Sequence, residues 1–208
     1  MKRKFGLVLV LAGILLMGSA LWLFLNNRAE EEQAAVSVEA VVPQVVEAIE
    51  LKREELREVA ETPLPLFIRV QKPDPEREMP VVEIDGNGYI GYLSIPDLDL
   101  ELPIMSDWSY PQLRRAPCRY SGSLYLDNLV LMAHNYNRHF GRIDELRTGD
   151  RITFTDMEGL MVEYEVVALD VLEPTAVEEM IAGEYDLTLF TCTYGGKSRV
   201  TLRCDRVE

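Results

Sequence analysis

The stretch Thr188-Leu189-Phe190-Thr191-Cys192, its turn Thr193-Tyr194-Gly195-Gly196-Lys197 and the return run Ser198-Arg199-Val200-Thr201-Leu202-Arg203-Cys204 decide the fold class. Two runs of strand-forming residues flank a glycine-containing turn, the pattern of a tight hairpin. The hairpin sets a thiol at one strand end and an arginine just across the turn. With a histidine elsewhere in the chain, this is the arrangement that nucleophilic thiol chemistry needs.

Outward from the hairpin, residues 88–208 keep the same texture. Tyr89–Ile95, Leu98–Leu102, Leu129–Ala133, Arg151–Thr155 and Met161–Val167 read as short strands. Turn signals such as Thr148-Gly149-Asp150 separate them, and the helical pieces are brief: Tyr110–Arg115, Gly141–Leu146 and Thr175–Ala182. Many short strands with frequent turns predict one mostly-β domain, a closed or partly closed barrel.

Residues 26–87 read as an acidic stalk. Val45, Ile49, Leu56 and Val59 fall loosely at helical spacing among glutamates, which predicts a solvated helix interrupted at Pro43. Thr62-Pro63-Leu64-Pro65 and Lys72-Pro73-Asp74-Pro75 predict extended chain. Ahead of the stalk, Phe5 to Leu25 carries no charge and matches the roughly 20 residues that cross a bilayer as a helix. Met1-Lys2-Arg3-Lys4 is basic, so residues 1–4 are expected in the cytoplasm and the remainder outside. The run is long for a cleaved signal peptide, and Gly18-Ser19-Ala20 lies inside it. Net charge is −14, and an acidic exterior argues against nucleic acid as a partner and against adhesion to anionic lipid.

Three cysteines, Cys118, Cys192 and Cys204, leave at least one thiol free. Burial of Cys118 and Cys204 as small apolar side chains is favoured over a bridge between them. An ordinary cysteine is mostly protonated at neutral pH, so Cys192 needs a base or a stabilising cation. Only two histidines are available. His134 follows an apolar strand, whereas His139 lies in a more loop-like segment and is expected nearer solvent. By spacing alone, His134 reads equally as a base or as a structural imidazole. Arg199 is the arginine nearest the thiol; Arg203 shares its strand face, and either it or Arg206 reads as a surface solubiliser. The two histidines with Cys192 make a poor zinc ligand set, so neither metal nor cofactor is expected.

Thr188–Cys192 resembles the TLxTC signature of the sortases, the membrane-anchored cysteine transpeptidases of Gram-positive bacteria. Ala133-His134-Asn135-Tyr136 resembles the sortase histidine segment, with alanine where glycine is frequent. Ser198-Arg199-Val200 resembles the start of the last sortase strand. The resemblance covers roughly residues 88–208. It implies an eight-stranded sortase-type barrel, preceded by a transmembrane helix and a stalk. It also implies that Cys192 is the nucleophile that forms a thioester, that His134 is the general acid and base, and that Arg199 stabilises the oxyanion. Thr191 is implied to contact substrate. The implied partners are an LPxTG-like sorting peptide and an amine, from a peptidoglycan precursor or a pilin lysine. The compact connections resemble the class B or class D groups. A thiol hydrolase with the same residues, and a catalytically silent tethered domain, are the competing readings.

Overall fold

A computed structural model describes residues 2–61 and 77–207 of the chain. Helix α1 (Lys2–Glu61) leads into nine strands: β1 (Val82–Ile84), β2 (Asn87–Ile95), β3 (Leu100–Met105), β4 (Cys118–Ser121), β5 (Leu129–Met132), β6 (Arg151–Asp156), β7 (Met161–Leu172), β8 (Leu187–Cys192) and β9 (Arg199–Arg206). Two single-turn helices, α2 (Tyr110–Leu113) and α3 (Val177–Met180), lie in the connections.

The strands run in the order β1-β2-β3-β4-β5-β8-β9-β7-β6, and β6 pairs back onto β2. Eight strands therefore close a barrel, and β1 is a short addition to the outer edge of β2. Gly91 makes the seam possible: its φ is +149°, and a Cβ there would stand 2.0 Å from the Thr155 carbonyl oxygen. The interior is filled by alternating strand residues, among them Leu93, Ile104, Leu131, Phe154, Tyr164 and Leu189, all fully buried.

α1 departs from a solvated, interrupted stalk. It runs unbroken through Pro43, and Ala34, Val38, Val45 and Ile49 bury along one stripe against the barrel. Burial of Val38, Val45 and Ile49 is worth about 1.5–3 kcal/mol each, enough to outweigh the ~3 kcal/mol that an internal proline costs. Of the other residues at helical spacing, Leu56 stays exposed. The side chain of Val59 and the proline-rich stretch 62–75 lie outside the described residues. Towards its N-terminus α1 includes an 18-residue window of mean hydropathy 2.5, none of it buried, long and apolar enough to cross a membrane.

Candidate active site

Parallel pairing of β5 with β8 brings the two sequence signatures together. Met132 lies opposite Phe190, and the Ala133 amide donates to the Phe190 carbonyl at 3.2 Å. β5 then gives way to Ala133 and His134 at the same end at which β8 finishes in Cys192. β9 returns antiparallel to β8 with Arg199 opposite Cys192. The intervening turn is closed by a 2.9 Å bond from the Thr193 amide to the Ser198 carbonyl, with Gly195 and Gly196 both at positive φ.

His134, Cys192 and Arg199 consequently line one cavity of about 230 Å³. Cys192 is half-buried there, while Cys118 and Cys204 are buried and unbridged. Burial, followed by Asp107, pushes the Cys118 thiol up to about 12, and burial raises Cys204 as well. These two thiols are inert apolar fillers. His134 is half-buried; burial lowers its pKa below the usual imidazole value, Arg114 pushes the same way, and Glu30 of α1 opposes them. Neutral imidazole, the form able to accept a proton, is therefore favoured near neutrality. The Arg199 guanidinium donates to the Gly196 carbonyl at 3.2 Å and to the Ser198 carbonyl at 3.1 Å, which ties it to the turn.

Thr191 also lines the cavity, but its hydroxyl donates to the Ala133 carbonyl at 2.9 Å. That bond fixes the exit of β5 against β8 and so sets His134 relative to Cys192. His139 differs from its expected place near solvent. It is fully buried, and neither ring nitrogen has a hydrogen-bond partner. Amides of His139 and Gly141 donate to the Tyr136 carbonyl, and that of Phe140 to the His134 carbonyl. This tight wrap draws the ring inward, where burial and then His134 lower its pKa to about 4. Among the described residues, no cluster of three or more His, Cys, Asp or Glu forms a metal site.

Sequence reasoning missed the cavity wall. Tyr120 meets Phe190 edge-on at 5.2 Å and Trp108 at 6.0 Å, giving an aromatic side opposite the α3 segment. Arg203 is no surface solubiliser. It is buried, and its guanidinium donates to the carbonyls of Glu179 (2.9 Å) and Met180 (3.2 Å), to Thr188 Oγ1 (3.1 Å) and to Asp170 (3.4 Å). Since Met180 and Val177 line the cavity, Arg203 holds its α3 wall in place. Five donors in a planar fork suit this multi-carbonyl clamp, and a strand arginine two alternations from Arg199 gave no local sign of it.

Thiol, imidazole and guanidinium thus stand together at adjoining strand ends of a closed barrel. The sortase domain family matches residues 93–207, and the chain belongs to the sortase family. Sortase A of Bacillus anthracis is 29% identical over 132 residues, 60% of this chain and 61% of that protein, so the chain spans less than two thirds of that relative's length. The crystal structure of sortase C1 from Streptococcus suis is similar with a TM-score of 0.50 at 27% identity, over 58% of this chain and 73% of that one. Sortase C of Clostridium perfringens, solved with the C-terminal cell wall sorting motif, gives a TM-score of 0.51 at 25% identity, over 80% and 89% of the two chains. Sortase A from Corynebacterium diphtheriae, at 23% identity and a TM-score of 0.53, covers 91% of this chain and 96% of its own and is alike in fold. These relatives are named sortase A and sortase C, and the leaning towards class B or class D has no support from them.

Proposed function

We propose that the protein is a membrane-anchored transpeptidase that cleaves a C-terminal sorting motif of exported proteins and transfers the acyl group to an amine. The observation that carries this is the single cavity shared by Cys192, His134 and Arg199 at the ends of β5, β8 and β9. Family membership supports the reaction class, and the Clostridium perfringens sortase C solved with a sorting motif supports a sorting peptide as donor.

Cys192 Sγ attacks the scissile carbonyl carbon while neutral His134 takes the thiol proton. Negative charge that develops on the carbonyl oxygen is met by the Arg199 guanidinium. Collapse of the adduct breaks the C–N bond, the imidazolium protonates the leaving amine, and a thioester remains on Cys192. An incoming amine then attacks the thioester carbon, His134 accepts its proton, and the thiol is restored as the new amide leaves. Thr191 acts by holding the two signature strands in register. Residues 5–25 of α1 span the membrane, with residues 1–4 in the cytoplasm and the barrel outside.

Mass spectrometry of the full chain with sorting-motif peptides and an amine tests the reading. A Cys192 thioester and an amide product are expected, both lost in Cys192→Ala. Product from Cys192→Ala overturns the proposal, and hydrolysis without amine incorporation replaces it with a thiol hydrolase.

A further inference from the structure

Helix α1 fixes which end of the barrel faces the bilayer. At its membrane-proximal part, Glu31 accepts from the Asn137 amide at 3.0 Å, Glu30 accepts from the Tyr136 hydroxyl at 3.5 Å, and Glu39 pairs with Arg138 at 2.9 Å. All three contacts fall on the segment that follows His134. Further along, Val45 and Ile49 pack on Tyr89, Met105 and Met157. Arg53 reaches the turn between β6 and β7, where a Cβ on Gly159 would lie 2.3 Å from its side chain. β7 runs parallel to β8, since both pair antiparallel with β9. Met161, the first residue of β7, is therefore at the end of the barrel away from Cys192. α1 thus descends the barrel wall from the Cys192 end to the opposite end.

The span ends at Leu25. Glu30 is five residues on, about 7–8 Å along a helix axis. The polar layer of a bilayer is about 5–7 Å deep on each side. Arg53, 28 residues past Leu25, stands about 42 Å out. Phe24, in the last turn of the span, lines the same cleft as His134, Asn135, Tyr136 and Tyr194. Tyr194, at the tip of the β8–β9 turn, is 91% exposed, and amphipathic aromatic rings of this kind are enriched at the headgroup level.

We infer that the Cys192 end of the barrel rests on the surface of the bilayer that α1 spans, with Tyr194 as an interfacial contact and the β6–β7 turn facing away. Substrates then meet Cys192 beside the lipid headgroups. The inference rests on the membrane-spanning reading of residues 5–25, not on the transpeptidase chemistry. Its partner is the bilayer itself, met by a turn whose tyrosine is exposed.

Fluorescence quenching by phosphatidylcholine brominated near the ester end of its acyl chains tests it, using the full chain reconstituted in vesicles. Three single-tryptophan chains are compared: Trp22 alone (Trp108→Phe), position 194 alone (Trp22→Phe, Trp108→Phe, Tyr194→Trp) and position 161 alone (Trp22→Phe, Trp108→Phe, Met161→Trp). Loss of emission is expected for Trp22 and for Tyr194→Trp, with none for Met161→Trp. Quenching of Trp22 without quenching at 194 overturns the orientation and leaves the span intact. Quenching at both 194 and 161 also overturns it, since neither end is then preferred. No quenching of Trp22 overturns the span and the orientation together. A Cys192-dependent thioester measured on the unsubstituted chain in vesicles of the same lipid reports the transpeptidase reading separately.

Discussion

The β8–β9 hairpin and helix α1 both border the site, yet their sequences disclose them very differently. In the hairpin, β-branched runs, the glycine turn and the thiol are all short-range signals, and the register Cys192 opposite Arg199 follows from them. α1 gives up its role only through its partner. Its buried stripe of Ala34, Val38, Val45 and Ile49 lies within an acidic stretch whose local pattern equally fits a solvated helix. Only the barrel wall decides between these.

The sharpest way to break the comparison lies within the hairpin, between its two arginines. Arg199→Ala is expected to lower kcat by roughly 100–1,000-fold, as loss of an oxyanion donor does. Arg203→Ala removes a guanidinium that touches Glu179, Met180, Thr188 and Asp170 but does not line the Cys192 cavity. Its cost should therefore fall on stability and on KM through a loosened α3 wall, with kcat better preserved. Steady-state kinetics beside thermal denaturation separate the two. If Arg203→Ala is the more damaging to kcat, the assignment of Arg199 is wrong.

The second test asks whether α1 belongs to the folded unit as the hairpin does. Ile49 is 3% exposed against Tyr89, Met105 and Met157. Ile49→Ala should cost about 2–4 kcal/mol, whereas Leu56→Ala, at an exposed position, should stay within about 0.5 kcal/mol. Denaturation of the full chain in detergent measures both. Equal and small effects would return α1 to the status of a mere tether.

Legibility follows the same division between local and distant signals. β2, β5, β6 and β7 lie near their expected places, although β7 extends on to Leu172 because β9 pairs with it along that length. The strand expected over Leu98–Leu102 starts only at Leu100 and runs on to Met105, since Pro96–Leu98 forms a single 3₁₀ turn. β4, Cys-Arg-Tyr-Ser, escaped notice since four residues without alternation carry no period. His134, Cys192 and Arg199 were legible as residues, while their convergence needed the parallel β5–β8 pairing, a contact between segments nearly 60 residues apart. His139 was misplaced because the backbone wrap that buries it involves no distinctive residue. Glu30 and Arg114 could not be found at all, since each reaches His134 from a different part of the fold.

Those two residues give the finest test, one that links the helix to the hairpin's chemistry. On the proposed mechanism His134 accepts the Cys192 proton and must be neutral to do so. The acid limb of kcat/KM is then expected to follow its protonation in the free enzyme. Burial, then Arg114, holds its pKa below the usual value, and Glu30 works against them. Glu30→Gln keeps an acceptor for the Tyr136 hydroxyl but deletes a charge that favours imidazolium. Its acid limb should move to lower pH, with the neutral-pH plateau little changed. Arg114→Gln deletes a charge that disfavours imidazolium, and its limb should move to higher pH. A purely structural role for either residue would scale the whole profile and leave the limb where it was. Opposite displacements would show that α1, though read from its sequence as a spacer, sets the working range of the histidine. Displacements in the same direction, or none, would confine α1 to support of the barrel.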